Sequence, residues 1–144
     1  MIFVTEENGQ TVPEIVQALA EANYDESGVL QDVLKLKVKE SLYVNSPDVR
    51  VFTMRDEDAA LVGYAVYFVT EHPHFDGTLF AFNDVIYIKP EYRTVYAANF
   101  FSFCEEHLDV KVIYQGMNYT KPHAKLMESL GYVPTEIMYH KVVS

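Results

Sequence analysis

The stretch around Pro90 restricts the fold most, because the pattern changes type there. From Thr78 to Lys89 the chain is crowded with aromatic and β-branched residues (Phe80, Phe82, Val85, Ile86, Tyr87, Ile88), which suit a pleated, half-buried strand. Pro90 ends that run. From Tyr92 to Leu108 the spacing becomes helical, with Val95, Ala98, Phe101 and Leu108 as the expected buried face. Val110 to Tyr114 then reads as a short strand, apolar apart from Lys111, the composition of a strand covered on both faces. Strand, helix and strand in that order call for a sheet with helices packed on it.

The remaining segments fit the same plan. Met1–Thr5 suits an edge strand. Thr11, Pro13 and Glu14 predict a capped helix start, with Ile15, Val16, Leu19 and Ala22 on one face to about Asn23. A second helix is predicted from Ser27 to Tyr43, because Leu30, Val33, Leu34, Val38 and Leu42 recur at three and four residues. Val49–Arg55 and Leu61–Thr70 predict a hairpin around Asp56-Glu57-Asp58, and residues 72–77 a loop. Tyr119–Leu130 predicts a helix closed by Gly131 in the left-handed conformation. Val133–Val143 supplies one or two closing strands, with a break at Pro134. The order β-α-α-β-β-β-α-β-α-β implies a central mixed sheet with helices on both faces. The absence of linker, repeat or low-complexity stretch implies one domain over residues 1–144.

Composition narrows the function classes. The 144 residues hold 11 Lys and Arg against 21 Asp and Glu, a formal charge of −10. A field of that sign repels nucleic-acid phosphates, so no nucleic-acid partner is expected. It leaves room for an anionic ligand held locally by backbone N–H groups. Cys104 is the only cysteine, which excludes an internal disulfide and any Cys-cluster metal site, and fits a reducing cytoplasm. No apolar run approaches a membrane span of ~18 residues, and the first residues lack the charge and apolar core of a secretory signal. The expectation is a cytoplasmic protein without a membrane partner.

Two stretches carry a resemblance. Asp84-Val85-Ile86-Tyr87-Ile88-Lys89-Pro90-Glu91-Tyr92-Arg93 is an apolar strand, then Pro-Glu-Tyr-Arg, then a helix. Leu126-Met127-Glu128-Ser129-Leu130-Gly131-Tyr132-Val133-Pro134-Thr135 is a helix ending in Leu-Gly-aromatic before a last strand. With the element order, they resemble the GNAT superfamily of N-acetyltransferases, in pattern from about Val49 to Val143. The resemblance implies an α/β GNAT-like fold whose fourth and fifth strands splay apart, with acetyl-CoA bound as co-substrate in the gap. Ile86, Tyr87 and Ile88 would meet the pantetheine arm. Arg93, Thr94, Val95, Tyr96, Ala97 and Ala98 would form the phosphate loop at a helix start, and Asn118 would contact the coenzyme arm. Such compact, divergent sequences also look like GNAT-like proteins carried by tailed bacteriophages.

Two positions depart from the family pattern. Tyr96 stands where a glycine lets phosphate approach the backbone, and Met127 stands where a tyrosine usually serves as general acid. Tyr139, on the expected closing strand, is the substitute acid. Asp84 and His74 are the candidate bases. A strand carboxylate at a sheet surface or bulge is the other reading of Asp84, and exposed loop residues that of His72 and His74. Cys104 reads as a structural thiol. Lys121, His123 and Lys125, with Lys89 and Arg93, could hold the coenzyme's 3′-phosphate or balance helix charge. The functional expectation is transfer of an acetyl group from acetyl-CoA to a primary amine by direct attack, with a small cationic amine or a protein amine as acceptor. The alternative is a GNAT fold without catalysis, serving as a binding or structural protein, for instance in a phage. A homodimer is left open.

Overall fold

The computed structural model describes residues 1–119 and 123–143. Five strands form one sheet in the order β1-β2-β3-β4-β5: Phe3–Glu7, Val49–Arg55, Leu61–His72, Phe75–Ile88 and Val112–Tyr114. Neighbours are antiparallel except β4 and β5, which are parallel. This is the mixed sheet that the element order implies.

Helices cover both faces, because the strands alternate two apolar sets. On one face Phe52, Met54, Ala65, Tyr67 and Ala81 pack with Phe100, Cys104 and Leu108 of the long helix Pro90–Leu108. On the other face Val49, Val51, Tyr64, Val66 and Tyr87 pack with Val12, Ile15 and Leu19. Those three belong to a continuous rod over residues 12–27. It consists of α1 (Val12–Ile15), a π-helical stretch Val16–Ala20 and α2 (Glu21–Ser27). Two short helices, α3 (Ser41–Val44) and α5 (Ala124–Ser129), flank the long helix α4 in chain order. Arg55 pins the rod to the sheet: its guanidinium donates to Glu14 at 2.7 and 2.8 Å and to Glu7 at 3.1 and 3.3 Å.

Several local expectations are corrected. Thr11 does not cap the rod. Its hydroxyl donates to Glu7, and Asn8 instead accepts from the Gln10 N–H to start a 3₁₀ turn at Gly9–Thr11. Residues 27–43 form no long helix, because the predicted stripe has no surface to bury against: Val33, Leu34 and Leu42 are exposed. On α4, Phe101 and Leu108 are buried as expected, but Val95 and Ala98 face solvent. The loop at 72–77 shrinks to a tight hairpin, with Phe75 paired to His72. Residues 133–143 form no strand, and β5, which reads as a central strand, lies at the sheet edge. Gly131 does adopt the left-handed conformation, at φ 89°.

Candidate active site

The sheet opens between β4 and β5. Their ladder covers only Phe80, Ala81 and Phe82 against Val112, Ile113 and Tyr114, while β4 runs on to Ile88. A bulge marks the point of parting. Tyr67 pairs with Asn83 and Val66 with Val85, so Asp84 is an extra residue with no partner on β3. The Asn83 amide holds the bulge by donating to the carbonyls of Val66 and Val85, at 3.3 and 3.0 Å. Beyond it the Lys89 N–H donates to Val62 of β3 at 2.9 Å. By strand alternation the backbone groups of Ile86 and Ile88 then face the gap.

Asp84 sits at the mouth of this opening, two residues past the last rung of the β4–β5 ladder. Its carboxylate accepts a 2.8 Å hydrogen bond from the Tyr43 hydroxyl. The carboxyl is open to solvent yet ringed by protein. That crowding pushes its pKa up from the ordinary value, and the Tyr43 bond works against the rise. Burial, the Asp84 hydrogen bond and the Asp84 charge together push the Tyr43 phenol far up. Tyr64, beneath them, is pushed up to about 12, chiefly by burial, and its hydroxyl accepts from Asn23 at 2.7 Å. Tyr43 owes its position to Gly9: a Cβ there would lie 2.4 Å from the Tyr43 carbonyl oxygen. Neither Tyr43 nor Asn23 stands out in the sequence, since each lies at least 41 residues from its partner.

The C-terminal end of α2 bridges the opening. Glu26 pairs with Arg93 at 2.6 Å, while the Arg93 Nε donates to the Ile88 carbonyl at 2.6 Å and its guanidinium lies 5.2 Å above the Tyr87 ring. From the other side the Asn118 amide donates to the Ser27 carbonyl. Next to these contacts is a hollow of about 290 Å³ rimmed by Asp25, Glu26, Asp32 and Asn118.

The remaining candidates fall in several places. Ile86, Tyr87 and Ile88 line the end of β4 as expected, with Ile86 and Ile88 packed toward α4 and Tyr87 toward the rod. Arg93, Thr94, Val95, Tyr96, Ala97 and Ala98 form no separate loop. They lie in the first three turns of α4, which starts at Pro90 and meets no glycine. Tyr96 packs against Tyr92 and the core. Ahead of Arg93, Pro90 has no N–H and those of Lys89 and Tyr92 donate to the Val62 and Lys89 carbonyls, which leaves the Glu91 N–H. His74 is exposed at the hairpin tip, where its N–H donates to His72. That tip is about 25–30 Å along the strand from Asp84, so these two candidates do not meet. Tyr139 is 87% exposed and makes no hydrogen bond or ring contact with β4 among the described residues. Cys104 is fully buried and burial pushes its thiol far up, in keeping with a structural role. Of the cationic grouping, Lys121 lies outside the described residues. His123 is held below its usual pKa by burial. Among the described residues no three His, Cys, Asp or Glu side chains gather as a metal site, and no helix is long and apolar enough to cross a membrane.

No family model and no curated protein matches the sequence. Solved structures do match it along its whole length. An aminoglycoside acetyltransferase from an uncultured soil metagenomic sample, in complex with sisomicin, aligns with a TM-score of 0.74 at 13% identity, over 99% of this chain and 95% of that one. AAC(6')-Iy in complex with the bisubstrate analogue CoA-S-monomethyl-acetylneamine aligns at 0.66 and 13%, over 99% of each chain. Ribosomal-protein-alanine N-acetyltransferase from Brucella melitensis biovar Abortus 2308 aligns at 0.65 and 13%, over 99% of this chain and 100% of that one. At such identity the likeness is one of fold: the chain has the GNAT acetyltransferase fold.

Proposed function

We propose that the chain transfers an acetyl group from acetyl-CoA to a primary amine. The observation that carries this reading is the break between β4 and β5 with a bulged, solvent-accessible carboxylate at its mouth. Ile86 presents unpaired strand backbone to the gap, which suits the amides of a pantetheine arm. At the start of α4 the Glu91 N–H and the helix dipole are what remain for a phosphate. The Ile88 carbonyl and Arg93 are already engaged with one another and with Glu26, so binding there requires the Glu26 contact to open.

Asp84 is the base in this reading. It takes a proton from the acceptor ammonium, directly or through water. The free amine attacks the thioester carbonyl, the C–N bond forms and the C–S bond breaks; the nitrogen gives up its second proton to water as the thiolate takes one from water. With Met127 buried in α5 and Tyr139 in solvent, water is the proton donor in a single chain. Asp25, Glu26 and Asp32 around the adjacent hollow favour a small cationic amine as acceptor. The complexes of neighbouring folds with sisomicin and with an acetylneamine analogue accord with that class.

The contacts Glu26–Arg93 and Ser27–Asn118 favour a second reading, in which the opening is held shut and the fold serves as a binding protein. Assaying acetylation of a polyamine and aminoglycoside panel separates the two. Acetylated product from the parent chain, lost in Asp84→Asn, supports transfer. Absence of product from both, across the panel, favours the second reading.

A further inference from the structure

A group of aromatic side chains lies outside both cores. Phe80 and Phe82 of β4 alternate with Ala81, which belongs to the α4 core, so they stand on the rod face of the sheet. The core on that face ends at Phe68, against which Tyr43 packs at 5.7 Å. Beyond it, Phe80, Phe82 and Tyr114 join neither core cluster.

Their rings gather with one another instead. Phe82 and Tyr114 lie 5.4 Å apart and nearly parallel, at 9°. Phe80 is 5.9 Å from Tyr114 and 6.2 Å from Phe82. His72 and Phe75 extend the group toward the hairpin tip, at 4.9 and 5.7 Å from Phe80. Offset stacking of this kind is favourable in itself, yet it leaves Phe82 and Tyr114 only half-buried and Phe75 54% exposed. A contiguous aromatic surface open to solvent suits a ligand.

The surface is continuous with the candidate base. Phe82 pairs with Phe68 in register, and Tyr43 touches both the Phe68 ring and the Asp84 carboxylate. Phe82 precedes Asp84 by two residues, about 6.5 Å of strand. A ring set against Phe82 and Tyr114 and an ammonium at Asp84 are therefore a short alkyl chain apart. Charge is complementary at both ends. Asp84 attracts a cation, the faces of aromatic rings attract one too, and the chain carries a formal charge of −10.

We infer that the acceptor is a primary amine borne on a short alkyl arm by a flat aromatic ring, the ring stacking on Phe82 and Tyr114 and the ammonium meeting Asp84. The inference rests on the acetyltransferase reading and narrows it. Asp84 receives the amine, while Phe82 and Tyr114 select the body that carries it. A polyamine has no flat face to stack. An aminoglycoside sets hydroxyls against the rings, where they lose water without gaining a partner.

The test compares acetylation of phenethylamine, spermidine and sisomicin by the full-length chain, with calorimetric binding of phenethylamine alongside. The expected result is the highest kcat/KM for phenethylamine. Tyr114→Leu should raise its KM about three- to tenfold with little change in kcat, and Tyr114→Phe should keep the parent value. Phe82→Leu should act as Tyr114→Leu does, and serves if that variant fails to fold. A higher kcat/KM for spermidine or sisomicin overturns the inference and leaves acetyl transfer standing, as does a KM indifferent to both leucine variants. Phenethylamine binding that both leucine variants weaken, without acetylation of any amine, keeps the aromatic site and ends the acetyltransferase reading. Neither binding nor acetylation ends both.

Discussion

Asp84 shows how one inserted residue can set a carboxylate apart from its strand. In an unbroken ladder its side chain would pair across to β3. As the extra residue of a bulge it has no partner on β3, and Tyr43 on the rod side donates to its carboxylate. The Tyr43 bond stabilises the charged form, so Tyr43→Phe should raise the Asp84 pKa further. The acid limb of kcat/KM against pH should then move to higher pH, while the plateau changes little. Asp84→Asn should lower the plateau itself by ~10²–10⁴-fold, the usual size of a lost general base. Asp84 was a candidate base from its place ahead of Ile86 and Ile88, with a strand carboxylate at a bulge as the other reading, and the bulge is what the structure shows. Tyr43 was not: its approach depends on Gly9, 34 positions away, and on a long-range packing that no local pattern records.

At the scale of elements, the strands were the more legible half. Their alternation is written locally, and both faces are covered, so period and burial agree. The segment 27–43 was misread for the complementary reason. Its stripe has helical spacing, but a helix of that kind depends on tertiary burial. Gly28 turns the chain out of the rod with its N–H still bonded to Tyr24 at 2.7 Å. In the acetyltransferase reading the end of that rod bears on binding, since Glu26 holds Arg93. Glu26→Gln should tighten acetyl-CoA binding a few-fold, in line with the ~1 kcal/mol of a half-exposed ion pair, measured by thermal shift against ligand concentration. Weaker binding in that variant would mean that Glu26 contacts the ligand instead.

The other end of the rod makes a separate prediction. Burial pushes Glu7 up, but hydrogen bonds from Arg55, Thr53 and Thr11 and the Arg55 charge hold it below its usual pKa. Glu14 is held low chiefly by its hydrogen bond to Arg55. Lowered folded values mean stability present above the ordinary carboxylate range and lost as pH falls through the lowered values. Arg55→Met should therefore cost stability at pH 7 and little below about pH 3, as followed by urea unfolding across that range.

Across the whole molecule, two apolar layers on one sheet support an opening at β4–β5 and an unfinished edge at β5. The α4 layer is tightly filled, so Phe100→Ala should cost about 3–5 kcal/mol in urea unfolding without altering the topology. The sequence pattern anticipated the layers, and the family resemblance implied the splay. It could not place the last segment, because residues 133–143 have strand composition but no partner within the described chain. The phosphate site was equally hard to read, because Tyr96 in place of glycine lets α4 run straight through the expected loop. The most direct test of acetyl-CoA use is calorimetric titration of the full-length chain with acetyl-CoA. Acetyl transfer through the β4–β5 opening predicts saturable binding at one molecule per chain, competed by free coenzyme A. No heat and no thermal shift at millimolar acetyl-CoA would contradict it.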